Sequence, residues 1–248
     1  MNKLITLSLS AAICMFPSTA SAMHIMEGFL PVQDSFFWMV AAAPFLLYGI
    51  REINHLVKGH PERKLLLGLA GAFIFVLSAL KIPSVTGSCS HPTGVGLAAV
   101  LFGPAVSSVL SVIVLLFQAL LLAHGGITTL GANTFSMGIA GAFIAWSLYH
   151  LVLRVSGSEK IALFCAATAG DIATYVVTAG QLAWAFPDPI GGFFASFLKF
   201  SGIFIFTQIP LAISEGLLSV VIYNTLQRYA DQGLLSLWVI KPEKNHNV

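Results

Sequence analysis

The feature that most constrains this chain is a succession of long apolar runs, which must be buried either in a protein core or in lipid. Only 9% of the residues are charged, whereas a soluble domain carries about a quarter. A run of about 20 apolar residues is long enough to cross a bilayer. The runs cover residues 36–53, 65–82, 94–123, 132–153, 161–183 and 192–226. The sequence therefore predicts an all-α integral membrane protein in which residues 23–248 form a single transmembrane domain.

The third run is too long for one span. At 1.5 Å per residue, residues 94–123 would make a helix about 45 Å long, against a hydrocarbon core of about 30 Å. Gly103-Pro104 offers a place to break it. A reversal there also puts Arg154 and Lys160 on the same side as the basic first loop, which the positive-inside rule assigns to the cytoplasm. We therefore expect about seven transmembrane helices, the amino end outside, the carboxyl end cytoplasmic, and one discontinuous helix near Gly103-Pro104.

Residues 1–22 have the pattern of a leader. One early Lys3 precedes an apolar stretch, and Ala20 and Ala22 stand where signal peptidase requires small residues. The alternative is an uncleaved first span, but an apolar core of about 13 residues falls short of the roughly 20 that a span needs. The sequence predicts a signal peptide over residues 1–22 and a mature chain that starts at Met23.

A mature chain that starts at Met23 places a histidine at its second position. The free amine, the deprotonated amide nitrogen of His24 and its imidazole Nδ1 can close fused chelate rings around one cation. That geometry suits Ni²⁺, Cu²⁺ and, less strictly, Co²⁺. Calcium and magnesium prefer oxygen ligands and are disfavoured. One position in the plane of the metal stays open for a fourth ligand.

Histidine is the preferred residue type for that fourth ligand. His91 lies in GSCSHPTG at residues 87–94, a loop of small residues that allows close backbone approach. His124 stands in a similar but less constrained loop, and we interpret it as solvated. Cys89 is either a soft alternative ligand or a small buried filler. We prefer His91 as the partner of His24, with the other two as alternatives.

Two motifs together carry a family resemblance. MHIMEGFLP at residues 23–31 and GSCSHPTG at residues 87–94 resemble the CbiM family, the substrate-binding membrane components of energy-coupling-factor cobalt importers. The resemblance runs from Met23 to about Arg228. It implies that the amino-terminal segment folds back into the bundle and that four nitrogens hold the metal. These are the Met23 amine, the His24 amide and imidazole, and the His91 imidazole.

The resemblance also implies a substrate and partners. Co²⁺ would be the transported ion, supplying cobalamin biosynthesis, with Ni²⁺ chemically possible and no resident cofactor. The setting would be the cell inner membrane, with a CbiQ-like coupling subunit, a CbiO-like ATP-binding subunit and a small CbiN-like subunit. The chain has no G-x-x-x-x-G-K-[ST] loop, so the ATPase would be on a partner.

Other function classes fit less well. Neither the metalloprotease motif H-E-x-x-H nor the hydrolase motif G-x-S-x-G occurs in the sequence, so we expect that the protein is not an enzyme. Twelve Lys and Arg against ten Asp and Glu leave no basic excess for nucleic acid. The rivals that stay open are a nickel importer of the same family, a secondary transporter that couples through Asp171, and a membrane metalloenzyme with an open metal position.

Four charged residues are expected to have a partner, an interfacial position or a role at the metal site, since charge inside a bilayer is costly. Asp171 and Lys199 have similar estimated depth, so we expect them to pair. Glu215 is expected near the cytoplasmic interface. Glu27 is expected to support the metal site because it lies close to His24 in the sequence.

Overall fold

The structure is a computed structural model that describes residues 24–60, 63–83 and 89–232, with the side chains of all of these except Pro83 and Cys89. The expected leader, the expected ligand Met23 and the side chain of the alternative ligand Cys89 therefore lie outside the described residues.

Helices make up nearly all of the described chain, as the apolar runs predict. Seven helical segments follow one another: α1 Val32–Val57, α2 Arg63–Ala79, α3 Val95–Phe102, α4 Pro104–Leu122, α5 Leu130–Ser156, α6 Glu159–Ala185 and α7 Gly192–Asp231. Two strands of two residues each, β1 Ile82–Pro83 and β2 Cys89–Ser90, pair antiparallel between α2 and α3. The all-α class is confirmed, apart from this short ladder.

Five of the segments, α1, α4, α5, α6 and α7, are long and apolar enough to cross a membrane. The other two segments are α2, with 17 residues, and α3, with eight. Both are shorter than the roughly 20 residues that a span needs. The protein is thus a multi-pass membrane protein with five candidate spans among the described residues. The count of about seven spans, and the orientation of the chain, stay predictions.

The discontinuity expected near Gly103-Pro104 is present. Gly103 has φ 86° and ψ 159°, which ends α3, and Pro104 starts α4, a position that suits proline because its missing N–H has no helical partner. The Ser107 hydroxyl donates to the Val95 carbonyl at 3.4 Å. In one straight helix these residues would be about 18 Å apart. The chain therefore turns back on itself at Gly103.

Helix α5 is irregular at its amino-terminal end. It starts with α geometry at Leu130–Asn133, widens to a π-helix over Thr134–Gly141 and returns to α geometry at Ala142. π-helical segments are rare, and those that occur often lie at functional sites. A side chain at Gly138 would collide with Ser111 of α4. This close contact anchors the π segment against α4.

The short helix α3 lies at the centre of the bundle and contacts α2, α4, α5, α6 and α7. Gly96 of α3 packs on the backbone of Ala167 in α6, with no room for a side chain between them. Helix α1 lies at the periphery and buries only three small residues, spaced seven apart: Ser35, Ala42 and Gly49.

Candidate metal centre

Three histidines from separate segments meet inside the protein. His24 precedes α1, His91 lies between β2 and α3, and His124 lies between α4 and α5. All three side chains are buried, and one possible ligand nitrogen from each lies within 4.8 Å of the others. Nitrogens bound to one metal at about 2.1 Å are at most about 4.2 Å apart. The cluster is therefore close to the spacing of a metal site.

The imidazole rings are nearly equidistant. The His24 and His91 ring centroids are 4.5 Å apart, with an interplanar angle of 33°. The His124 ring lies 4.6 Å from that of His24 at 86°, and 5.0 Å from that of His91 at 62°. The His24 and His91 rings are thus the most nearly parallel pair, and the His124 ring is steeply inclined to both.

Each of the three histidines has a ring nitrogen that is available to bind a metal. Nδ1 of His91 faces the Pro92 carbonyl at 3.0 Å, and because a carbonyl only accepts, Nδ1 carries the proton. His91 Nε2 then holds a lone pair, and it has no hydrogen-bond partner. No ring nitrogen of His24 or His124 makes a hydrogen bond of ordinary geometry within the described chain, although the Ser78 carbonyl lies near enough to His124 to affect its pKa. A hydrogen bond such as that from His91 Nδ1 to the Pro92 carbonyl commonly fixes the tautomer of a metal-binding histidine.

Burial keeps these imidazoles neutral. Burial, and next the neighbouring His124, lower the pKa of His91 to about 3. Burial and the charge of Lys81 lower the pKa of His124 to about 4, against a small opposing effect of the Ser78 carbonyl. Burial and then the other two histidines hold the pKa of His24 well below its ordinary value. The lone pairs that a metal requires are therefore available at neutral pH.

The residue after His24 is held by its backbone. Asn133 Oδ1 accepts from the Ile25 N–H at 2.8 Å, and Asn133 Nδ2 donates to the Ile25 carbonyl at 3.0 Å. The Thr129 hydroxyl donates to the same carbonyl at 2.6 Å. The Ile25 amide is therefore occupied, so a chelate that starts at the amino end cannot continue beyond His24.

Glu27 links the amino-terminal segment to the loop that carries His124. Its carboxylate accepts from the backbone N–H groups of Ile127 and Thr128, and the N–H of Gly28 donates to the Thr128 hydroxyl at 3.0 Å. Hydrogen bonding to the Thr128 side chain, and less strongly to the backbone N–H groups of Thr128 and Ile127, lowers the pKa of Glu27. A side chain at Gly126 would collide with the backbone of Glu27. Glu27 thus aligns two parts of the site with each other.

The loop that carries His91 is fixed by side chains of α6 and α7. The Tyr175 hydroxyl accepts from the His91 N–H at 3.2 Å and donates to its carbonyl at 2.9 Å. Glu215 accepts from the Thr93 N–H at 2.5 Å and from its hydroxyl at 3.1 Å. His91 is therefore held by groups on two long helices.

Two expectations about charged residues are wrong. Asp171 does not pair with Lys199: its Oδ2 accepts from Gln208 Nε2 at 2.5 Å, and Lys199 is exposed. Glu215 does not reach the interface, since it is 1% exposed and bonded to Thr93. Gln208 also donates to the His91 carbonyl at 3.5 Å. The buried acids therefore support the loop of His91.

The structure brings together His24 and His91, the two expected ligands that it describes, and adds His124, which was expected to be solvated. His124 is only 1% exposed. The two glycines that follow it were the available signal. An added Cβ at Gly126 would collide with Glu27 Cα, so this glycine permits the close approach of the amino-terminal segment.

The family model that matches this chain and two known proteins that are similar to it belong to one family. Residues 24–232 match the CbiM family, described as a cobalt uptake substrate-specific transmembrane region. The chain is 62% identical to a cobalt transport protein CbiM from Nostoc sp. over 224 residues, which cover 90% of this chain and 86% of that one. It is 58% identical to the CbiM protein of Moorella thermoacetica, over 95% and 91% of the two chains.

Two solved structures share the fold. A transition metal transporter superposes with a TM-score of 0.73 at 24% identity, over 84% of this chain and 94% of that one. A truncated transition metal transporter gives a TM-score of 0.71 at 24% identity, over 83% and 99%. At this identity the likeness concerns the fold.

Proposed function

Because the chain belongs to the CbiM family and is therefore a cobalt transport component, we propose that it is the substrate-binding subunit of an energy-coupling-factor importer that captures Co²⁺. The observation that carries this proposal is the convergence of His24, His91 and His124 at one buried point. Three neutral imidazoles in contact, with ring nitrogens available, suit a divalent cation that is intermediate between hard and soft, such as Co²⁺ or Ni²⁺.

The proposed in-plane ligands are the Met23 amine, the amide nitrogen and imidazole of His24, and Nε2 of His91. The free lone pair of His91 Nε2 and the occupied amide of Ile25 both support this set. A chelate that ends at His24 leaves one place in the plane. The His91 ring is inclined to that of His24 by 33° and the His124 ring by 86°, which favours His91 for that place. The set requires that the mature chain start at Met23.

This donor set excludes the abundant hard cations. Ca²⁺ and Mg²⁺ take oxygen ligands, whereas the cluster consists of imidazole nitrogen. Co²⁺, Ni²⁺ and Cu²⁺ all accept such ligands. The 62% identity to a cobalt transport protein supports Co²⁺ over Ni²⁺, and a nickel importer of the same family is the alternative.

Uptake would depend on other subunits. The chain has no P-loop motif, so ATP hydrolysis would come from a CbiO-like subunit, with CbiQ-like coupling and CbiN-like auxiliary subunits in the inner membrane. In this proposal the amino end faces outside, the metal enters there, and movements of the bundle driven by the partners release it inward to supply cobalamin biosynthesis.

The experiment is native mass spectrometry of the membrane-purified protein with Co²⁺ or Ni²⁺. Wild type is compared with His24→Ala, His91→Ala and the control His55→Ala, which changes an exposed histidine far from the cluster in sequence. We expect a chain that starts at Met23 and one metal ion that only the first two substitutions remove. A retained Met1, or metal that persists without His24, contradicts the chelate.

A further inference from the structure

We propose that His124 supplies a fifth nitrogen, on the axis perpendicular to the metal plane, and that this ligand favours Co²⁺ over Ni²⁺ and Cu²⁺. The inference rests on the proposed function and deepens it. The proposed in-plane set uses His24 and His91 and has no role for His124, although all three rings meet.

The position of His124 follows from the distances between the rings. The His24 chelate would take three places in the metal plane, and His91 the fourth, next to the His24 imidazole. The three ring centroids are 4.5, 4.6 and 5.0 Å apart, which is the arrangement of three mutually adjacent ligands. With the plane already filled, the only places adjacent to both His24 and His91 lie on the axis.

The ring orientation agrees with this position. Fused chelate rings would hold the His24 imidazole close to the metal plane. The His124 ring is at 86° to it, so its plane contains a direction close to the axis. A nitrogen lone pair of His124 can therefore point along that axis.

His124 is also costly without such a partner. A buried polar group with no hydrogen bond is unfavourable, and neither ring nitrogen of His124 makes one of ordinary geometry within the described chain. The residue before it, Ala123, is the only non-glycine residue with positive φ among those described, at 46°. Ala123 ends α4 as a left-handed cap, and the His124 N–H donates to the Gln118 carbonyl at 3.2 Å. This cap turns the chain directly at His124, whose imidazole is buried against those of His24 and His91.

An axial imidazole would act differently on the three metals. Ni²⁺ in a plane of four strong nitrogen donors is complete as a square-planar ion, and Cu²⁺ binds axial ligands weakly because its geometry is tetragonal. Low-spin Co²⁺ has one unpaired electron in the orbital that points along the axis and readily takes a fifth ligand there. His124 would therefore add more to the binding of Co²⁺ than to that of the other two ions.

The test uses His124→Ala, His124→Gln and the control His55→Ala. Affinities for Co²⁺ and Ni²⁺ are measured by competition with a chelator, and electron paramagnetic resonance is recorded on the anaerobic Co²⁺ complex. We expect Co²⁺ affinity to fall about tenfold or more in both His124 variants, and Ni²⁺ affinity to change by less than about threefold. Retained Ni²⁺ binding shows that the variants are folded.

The spectrum separates a ligand from a structural residue. In wild type an axial nitrogen splits the cobalt lines along the axis into triplets, and His124→Ala should remove the splitting. Wild-type Co²⁺ without axial nitrogen splitting, unchanged Co²⁺ affinity in the variants, or equal losses for Co²⁺ and Ni²⁺ overturns the inference. Wild type that binds neither metal overturns the proposed function instead.

Discussion

Asn133 binds the peptide of Ile25 through both of its hydrogen-bonding groups, accepting at 2.8 Å and donating at 3.0 Å. Asn133 is the last α residue before the π segment of α5. The irregular part of α5 therefore lies where the amino-terminal segment docks. Asn133, 108 positions beyond Ile25, therefore contributes to the position of His24 together with Thr129.

Asn133→Ala should weaken metal binding without altering any proposed ligand. Loss of two buried hydrogen bonds should lower the free energy of unfolding by about 1–3 kcal/mol and metal affinity by about tenfold or more. Thermal unfolding and chelator competition measure the two effects. Thr129→Ser keeps the hydroxyl on the Ile25 carbonyl and serves as the control. Unchanged metal affinity in Asn133→Ala would show that Ile25 does not position His24.

Glu215→Gln should loosen the loop of His91. The carboxylate accepts from two donors of Thr93, and an amide would place an N–H group against one of them. We expect a loss of about 1–3 kcal/mol of stability and weaker metal binding. Glu159→Gln is the matched control, because Glu159 bonds Tyr223 and Gln227 at the start of α6. Equal effects on metal affinity in both variants would refute a specific role for Glu215.

Gly96→Ala should separate α3 from α6, because the added methyl group would overlap the backbone of Ala167. Overpacking of this kind costs about 1–3 kcal/mol, and thermal unfolding measures it. Gly202→Ala is the control: Gly202 lies within α7, and an added Cβ there meets nothing within 4 Å. Gly202→Ala should leave stability unchanged or raise it slightly, since alanine favours helix. An equal loss in both variants would contradict the close contact.

Acid should destabilise the metal-free protein. Burial lowers the pKa of His91 to about 3 and that of His124 to about 4, whereas an unfolded histidine titrates near 6.5. Below about pH 6.5 the unfolded chain thus binds more protons, and stability falls with pH until the folded-state pKa values are reached.

Thermal unfolding at about pH 7.5 and about pH 5.5 tests this prediction. His124→Phe removes one buried imidazole and should lose less stability on acidification than wild type. His55→Ala, at an exposed position, should lose as much as wild type. If His124→Phe and wild type respond alike, His124 does not stay neutral in the folded protein.

The sequence predicts some features of this protein because their signals are local. The break at Gly103-Pro104 follows from the length of one apolar run and from the distribution of basic residues. His24 and His91, which the structure places together, could be selected from the sequence because an amino-terminal histidine and a loop of small residues can be recognised without the fold.

Other features depend on packing that the sequence does not display. Lys199 and Gln208 are nine residues apart on α7, about 2.5 helical turns, so they face opposite sides, and Asp171 meets Gln208. Similar depth along two helices therefore does not establish a contact. His124 is buried because the amino-terminal segment covers its loop, which depends on Asn133 and Glu27.

The burial of α3 has a consequence for the freedom of its sequence to vary. Six of its eight residues, Val95, Gly96, Leu97, Ala98, Ala99 and Leu101, are buried and the other two are half-buried, so this helix exposes little of its surface. Helix α1 buries three residues of 26. In a library of random substitutions, positions in α3 should accept few alternatives in size, whereas most of α1 should accept any apolar side chain.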